Sequence, residues 1–135
     1  MTIFKKGYAD DVGIDICLDF DVEFQPFETK IIDCGVSIPS QLGLATMMCA
    51  RTSAAMQGII VDQCPIDPNY CGNIHIIAHN VSNSSILFKA GQAFAQLYRF
   101  EVQPININYE IKKSTSRNEN GFGSTDKEND DVNNC

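Results

Sequence analysis

No stretch of this 135-residue chain approaches the roughly 18 consecutive apolar residues that a membrane-spanning helix requires. The N-terminus, Met1-Thr2-Ile3-Phe4-Lys5-Lys6, has no long apolar region of the kind found in a secretory signal. Positive charge is scarce: 10 Lys and Arg stand against 17 Asp and Glu, for a net charge of −7. That balance argues against a protein that holds duplex nucleic acid by neutralising its phosphates, although a few placed arginines can still bind a small anion. The six cysteines, Cys17, Cys34, Cys49, Cys64, Cys71 and Cys135, include no Cys-x-x-Cys pair, so zinc-site spacing is missing. Five of them sit among apolar or small residues and read as buried, reduced thiols. The phosphate-cradling pattern Gly-x-x-x-x-Gly-Lys-Ser/Thr is absent, and no Ser-His-Asp or Cys-His arrangement stands out. His75 and His79 share one strand face about 13 Å apart, too far for two zinc ligands that each lie about 2 Å from the metal. The expectation is a soluble cytoplasmic protein (or one in a host-cell interior, if the chain is viral), with neither nucleic acid nor a membrane as partner.

What is present is strand after strand. With 44% hydrophobic residues, the chain has enough for one domain and one core. Ile32, Cys34, Val36 and Ile38 alternate with Asp33, Gly35 and Ser37, the period-two signature of a strand. Gly43 to Ala50, Gly58 to Val61, Asn73 to Val81 and Ala93 to Glu101 are rich in β-branched and aromatic residues and read as further strands. Ile105 to Lys112 reads as another, with Ile105, Ile107, Tyr109 and Ile111 on one face. Turn signals separate these runs at Pro39-Ser40, Asp67-Pro68-Asn69, Ser82-Asn83-Ser84 and Ala90-Gly91. One short helix fits near Ser53 to Gln57. The expected fold is all-β, a jelly-roll-like barrel or sandwich with one short helix.

From Lys113 large apolar residues nearly vanish. Residues 1–112 therefore read as the β core, and 113–135 as a flexible C-terminal arm that cannot offset its ordering entropy by burial. Within the arm, Arg117 through Thr125 places Phe122 between Gly121 and Gly123, with an arginine upstream and hydroxyls downstream. That pattern reads either as a frayed terminus or as an arm that orders over a ligand.

Four core segments could carry chemistry, and each also has a purely structural reading. In Pro65 through Gly72, Asp67 precedes Pro68 and so favours extended backbone. Its carboxylate either caps a type I turn or takes a proton from water at a strand end, with Tyr70 offering a flat ring to a sugar or base. In Ala50 through Ala55, Arg51 offers a planar cationic fork for phosphate oxygens. Thr52 and Ser53 add hydroxyls at a helix start whose N–H groups favour an anion; the alternative is an N-cap beside a solvated arginine. Gln96, between Ala95 and Leu97, is either a buried amide in need of partners or an outward side chain. Asp15, between Ile14 and Ile16, points either into a site or to solvent.

Taken in order, these segments and the arm resemble the five motifs of the homotrimeric dUTP diphosphatases, the dUTPases. Val12 through Ile16 is similar to the family's Ala-Gly-Tyr-Asp-Leu, and Ala50 through Ser53 to its Pro-Arg-Ser-Gly, with Thr52 and Ser53 replacing Ser-Gly. Ile66 through Gly72 matches Gly-x-Ile-Asp-x-x-Tyr-x-Gly, with Cys64 where the first Gly stands. Gly91 through Leu97 matches Gly-x-x-x-Ala-Gln-Leu. Arg117 through Asp126 resembles Arg-Gly-x-Gly-Gly-Phe-Gly-Ser-Thr-Gly, with Asn118, Asn120 and Asp126 replacing Gly.

The resemblance implies a homotrimer with sites at subunit interfaces, each formed by two chains and closed by the arm of the third. It implies Mg²⁺-dependent hydrolysis of dUTP to dUMP and pyrophosphate, with Asp67 activating the water that attacks the α-phosphorus. Arg51, Thr52, Ser53, Gln96, Arg117, Ser124 and Thr125 would bind phosphates. The hairpin from Val61 to Ile66, including Gln63, Cys64 and Ile66, would read uracil. Tyr70 would pack on the sugar and Phe122 stack on the base. The Mg²⁺ would be held by the triphosphate and reached through water by Asp15 and Gln96.

Two other readings compete. One is a dCTP deaminase-like enzyme of the same superfamily, which needs a carboxylate aimed at the cytosine ring. The other is a nucleotide-sensing module that recruits a regulatory protein partner and barely turns over. The Ile66-Asp67-Pro68-Asn69-Tyr70 match and the Phe-Gly-Ser-Thr arm favour the diphosphatase, and retention of the chemical residues argues against the module.

Overall fold

A computed structural model of the protein describes residues 1–112, in which apolar alternation resolves into nine strands and one short helix. In chain order these are β1 (Ile3–Lys5), β2 (Ile14–Cys17), β3 (Val22–Phe24), β4 (Thr29–Asp33), β5 (Leu44–Ala50), α1 (Thr52–Gln57), β6 (Ile59–Val61), β7 (His75–Asn80), β8 (Ile86–Phe88) and β9 (Ala95–Glu101). Three sheets result, with strand orders β1-β2-β9-β5, β3-β8 and β4-β7-β6, and every pair is antiparallel. No sheet closes on itself among the described residues. The architecture is thus the sandwich version of the expected jelly-roll-like β fold, not a closed barrel. No helix among the described residues is long and apolar enough to cross a membrane.

The core follows from period-two alternation. Val22 and Phe24 of β3, Ile76 and Ala78 of β7, and Ile86 and Phe88 of β8 are all buried. Phe24 meets Phe88 and Phe94 edge-to-face, at centroid distances of 6.3 and 5.7 Å, and Phe88 lies tilted 4.8 Å from Phe94. Each such pair contributes about 0.5–1.5 kcal/mol beyond its area burial. Phe94 immediately precedes β9, so this trio anchors the strand on which Gln96 stands.

Two expected strands differ. The alternation over Ile32 to Ile38 is interrupted because Gly35 takes φ +71°, a left-handed conformation that ends β4 at Asp33. Val36 and Ile38 still pack on the core from an irregular segment. Ile105 to Lys112 forms no strand, and Ile105, Ile107, Tyr109 and Ile111 are all exposed. A strand requires a neighbour for its backbone groups, and no other described segment of the same chain lies beside this one as a strand partner.

Asn80 is the most deeply buried polar side chain of the described residues, at 1% exposure. Its Nδ2 donates to Gln25 O at 3.0 Å and Ser84 O at 2.7 Å. Its Oδ1 accepts from Ser82 N at 3.0 Å and Ser82 Oγ at 2.7 Å. One amide thus staples the loops before β4 and β8 to the end of β7. Replacing it by Leu, similar in size but apolar, deprives three partly buried loop backbone groups, Gln25 O, Ser84 O and Ser82 N, of their partner. Asn80→Leu is expected to lower stability by about 2–4 kcal/mol, read as a reduced midpoint in urea unfolding; a loss within 0.5 kcal/mol would contradict the role assigned to this network.

Candidate active site

The site begins where β5 turns into α1. Arg51 is the N-cap, with φ −69° and ψ 148°, and its side chain makes no capping hydrogen bond. Its backbone N–H donates to Phe94 O at 2.9 Å, which ties the turn to the start of β9. The other end of the helix is closed by Gly58 at φ 104°, a left-handed stop that favours glycine. Thr52 and Ser53 stand exposed on the first turn.

Register brings the remaining groups to this corner. Asp15 of β2 pairs with Gln96 of β9, and Gln96 pairs on its other side with Cys49 of β5. The Arg51 Nε lies 3.1 Å from Asp15 Oδ1, and Nη1 donates to Ala93 O at 3.4 Å. Gln96 donates from Nε2 to Ala50 O at 3.1 Å, so its amide is half-buried and partnered. A Cβ on Gly13 would stand 1.9 Å from Gln96 Oε1, which explains why glycine occupies that position. Asp15, Arg51, Thr52, Ser53 and Gln96 together line one cleft of about 620 Å³. The same cleft is lined by Gly7, Asp11 and Met56, which the motifs did not indicate. The turn-forming run Gly7-Tyr8-Ala9-Asp10-Asp11 was the available signal; Asp11 accepts from Tyr8 N through Oδ2 at 2.8 Å.

Asp67 and Tyr70 lie elsewhere. The Tyr70 N–H donates to Asp67 O at 3.1 Å, so Asp67 through Tyr70 is the β-turn that Asp-Pro-Asn forms readily. The Tyr70 hydroxyl donates to Asn73 O at 2.7 Å, and a Cβ on Gly72 would come within 2.5 Å of that hydroxyl. Gly72 therefore gives the ring its place. Just before the turn, Ile66 exchanges both backbone hydrogen bonds with Thr46 of β5, at 2.7 and 3.1 Å. Asp67 and Tyr70 share a small indentation with Thr46 and Arg99. Arg99, another residue the motifs did not indicate, donates to Thr46 Oγ1 at 2.9 Å and to Pro39 O.

Among the described residues, the indentation and the cleft have no lining residue in common. Thr46, where Ile66 bridges, and Ala50, which leads into Arg51, are four residues apart on β5, about 13 Å at the rise of a strand. One chain therefore does not bring Asp67 to Arg51. Gln63 and Cys64 are exposed in the loop between Asp62 and Ile66, with Gln63 Oε1 accepting from the Tyr98 hydroxyl at 3.4 Å. Arg117, Phe122, Ser124 and Thr125 fall outside the described residues.

No group of three or more His, Cys, Asp or Glu side chains converges as a metal cage among the described residues. The histidines have separate carboxylates: His75 Nε2 lies 3.8 Å from Asp33, and His79 Nε2 lies 2.8 Å from Asp62. The donor set in the cleft, the carboxylates of Asp15 and Asp11 and the amide of Gln96, fits a Mg²⁺ that keeps its waters and takes other oxygens from phosphates.

Comparison with known proteins bears on this arrangement. The dUTPase family model matches residues 1–126. The chain belongs to the dUTPase family. A deoxyuridine 5'-triphosphate nucleotidohydrolase of Picosynechococcus sp. is 33% identical over 125 residues, covering 90% of this chain and 88% of that protein. The Pol polyprotein of equine infectious anemia virus (strain Wyoming) is 33% identical over 128 residues; the match takes in 92% of this chain but only 11% of the polyprotein. Among solved structures, native dUTPase of the same virus aligns with a TM-score of 0.71 at 28% identity, covering 82% of this chain and 92% of that one.

The thiols divide in a way the sequence did not indicate. Cys17 and Cys34 are buried as expected, Cys49 is half-buried, but Cys64 is exposed; the expected hairpin from Val61 to Ile66 is a loop here, its ends paired to β7 and β5 rather than to each other. Burial, reinforced by the Asp33 charge, pushes the Cys34 thiol up to about 12. Brief iodoacetamide treatment of the native protein is expected to modify Cys64 and to spare Cys17 and Cys34 until denaturant is added. Peptide mass spectrometry checks this, and equal labelling of Cys34 and Cys64 would contradict the placement of the loop.

Proposed function

We propose that this dUTPase-family chain hydrolyses dUTP to dUMP and pyrophosphate, at sites shared between the chains of a homotrimer. The observation that carries this reading is the division of the machinery within one chain. Asp15, Arg51, Thr52, Ser53 and Gln96 line the cleft, whereas Asp67 and Tyr70 line a separate surface. A site holding both halves needs the cleft of one protomer opposite the Asp67 surface of another. Apolar surface supports the assembly. A groove of about 480 Å³ lined by Phe4, Ile14, Leu97 and Tyr98 lies on the same sheet as the cleft. Ile105, Ile107, Tyr109 and Ile111 are exposed as well, and large apolar exposure of this kind marks contact surfaces.

The chemistry follows from the donors. Arg51 spends one N–H on Asp15 and one on Ala93 O, which leaves guanidinium donors for phosphate oxygens. The Thr52 and Ser53 hydroxyls and Gln96 complete the phosphate-facing set. Asp67 of a neighbouring protomer accepts a proton from water as the water oxygen bonds to the α-phosphorus. The bond from that phosphorus to the bridging oxygen breaks, and pyrophosphate leaves. A positioned base contributes about 10²–10⁴-fold, so electrostatic stabilisation of the phosphates supplies much of the remainder.

Among the described residues, the cleft of one chain sets the carboxylates of Asp11 and Asp15 against the single cation of Arg51. Binding a triphosphate there calls for further positive charge, and Mg²⁺ together with Arg117 of the arm is the proposed source. Asp15 and Gln96 would hold the waters of that Mg²⁺, which when bound supplies charge neutralisation on the phosphate oxygens. Ser124 and Thr125 add hydroxyls and Phe122 a stacking ring over the base. Tyr70 packs on the sugar. Gln63, Cys64 and Ile66 belong to the loop that reads uracil, where cytosine's exchanged donor and acceptor would leave buried groups unpaired, a penalty of about 10⁴-fold.

The reading is tested by supplying Mg²⁺ with dUTP, dCTP, dTTP or UTP and assaying pyrophosphate and ammonia separately. Pyrophosphate from dUTP is expected; ammonia from dCTP would establish the deaminase instead. Asp67→Asn is expected to abolish turnover while retaining nucleotide binding, and an active Asp67→Asn would remove the base assignment. Sharing of the site is tested by unfolding and reassembling Asp67→Asn together with Arg51→Ala. Random mixing places an intact cleft opposite an intact Asp67 in about one half times one half, or a quarter, of interfaces. Recovery of about a quarter of wild-type activity is expected; a mixture as inactive as its parts would place both residues in one chain's site.

A further inference from the structure

The loop assigned to the base is held at its two roots by different means. At Ile66 the bond is backbone to backbone, through the bridge to Thr46. At Asp62 a side-chain relay reaches into the β4-β7-β6 sheet. Asp62 follows β6 directly and donates its N–H to Ile77 O at 2.8 Å. Its carboxylate Oδ2 meets His79 Nε2 at 2.8 Å. On the other side of the ring, His79 Nδ1 meets Thr29 Oγ1 at 2.7 Å. Thr29 is the cross-strand partner of His79 on β4, and Ile60 is its partner on β6, so the imidazole stands on the central strand.

The proton positions follow from chemistry. An ionised carboxylate only accepts, so Nε2 carries the proton. In the tautomer with its proton on Nε2, Nδ1 is the acceptor and the Thr29 hydroxyl donates to it. Thr29, His79 and Asp62 form one directed chain from a sheet strand to the first residue of the loop. The imidazole is 29% exposed and the Asp62 side chain 43%, so the relay is a surface brace outside the apolar core. Among the described residues, none of the groups lining the cleft is hydrogen-bonded to it. The alternation of β7 turns Ile76, Ala78 and Asn80 inward and leaves His79 on the opposite face, where a hydrophobic residue would satisfy the strand equally well.

We propose that His79 is a positioning residue for base recognition: through Asp62 it fixes the root of the loop that carries Gln63 and Cys64. This rests on the assignment of that loop to the base. Phosphate binding and water activation lie on other surfaces, so loosening the loop should weaken binding of the nucleotide and leave the chemical step intact. His79→Phe keeps a flat ring and removes both nitrogens. It is expected to raise KM for dUTP about tenfold with kcat changed less than about twofold, the effect of one charge-assisted hydrogen bond lost from a binding loop.

The melting temperature of His79→Phe should stay at the wild-type value. Asp62→Ala should produce the same rise in KM, and combining it with His79→Phe should add nothing, because both cut one chain. His79→Gln returns an N–H near the Nε2 position and is expected to recover most of the lost affinity. His79→Asn reaches only the Nδ1 position and is expected not to. Unchanged KM in both His79→Phe and Asp62→Ala, or equal behaviour of the Gln and Asn variants, would overturn the inference. Carboxymethylation of Cys64 separates it from the assignment beneath: if the modification raises KM and the His79 and Asp62 variants do not, the inference alone falls. If none of the three moves KM, the loop does not read the base.

Discussion

The register of β9 between β2 and β5 is the constraint on which the rest depends. Gln96 faces Asp15 on one side and Cys49 on the other, and Ala95 faces Ala50, the residue before Arg51. A slip of one residue would exchange the faces of the strand, sending Gln96 toward the core and Leu97 toward the cleft. The register is held by burial of Phe94 against Phe24 and Phe88, and by the Arg51 N–H bonded to Phe94 O. Core packing and cleft assembly are therefore one arrangement seen from two sides. Gly13 completes it, since a side chain there would collide with the Gln96 amide.

β5 acts as a spacer. Its end at Ala50 delivers the cleft-lining Arg51, Thr52 and Ser53, and Thr46 pins the segment that leads to Asp67. A stiff strand cannot fold back on itself, so the two kinds of chemistry stay apart within one chain. That separation is the reason assembly matters for the proposed activity. It also gives the apolar groove of Phe4, Ile14, Leu97 and Tyr98 a purpose that a monomer would not explain. The net charge of −7 fits the same proposal: attraction for a phosphate would be local, built around Arg51, against the field of the chain as a whole.

Much of the fold was legible in the residues. The runs that became β5, β6, β7 and β9 were visible from alternation and composition, and the helix after Arg51 from its alanines and the hydroxyls at its start. β1, β3 and β8 are three residues each, too short for alternation to stand out, and they exist because a neighbour pairs with them. The run from Ile105 to Lys112 has the strongest alternation of any segment and forms no strand in one chain. Alternation describes a face that wants covering; it does not say what covers it. The site divides the same way. Asp15, Arg51 and Gln96 were legible because their segments stand in a fixed order, while Gly7, Asp11, Met56 and Arg99 reach their surfaces only by folding.

By itself the sequence determined which residue types could do the chemistry, the period-two pattern that commits the chain to β structure, and membership in the dUTPase family. Those are local properties: a carboxylate, a guanidinium or an alternating run has its character wherever the chain goes. The tertiary structure alone decided that Asp15, Arg51 and Gln96 share a cleft, that Asp67 lies apart from them, and that the half-buried His79 braces a loop through Asp62. These are distances between groups far apart in the chain. They are set by strand register and by which faces find partners, and neither is written at any single position.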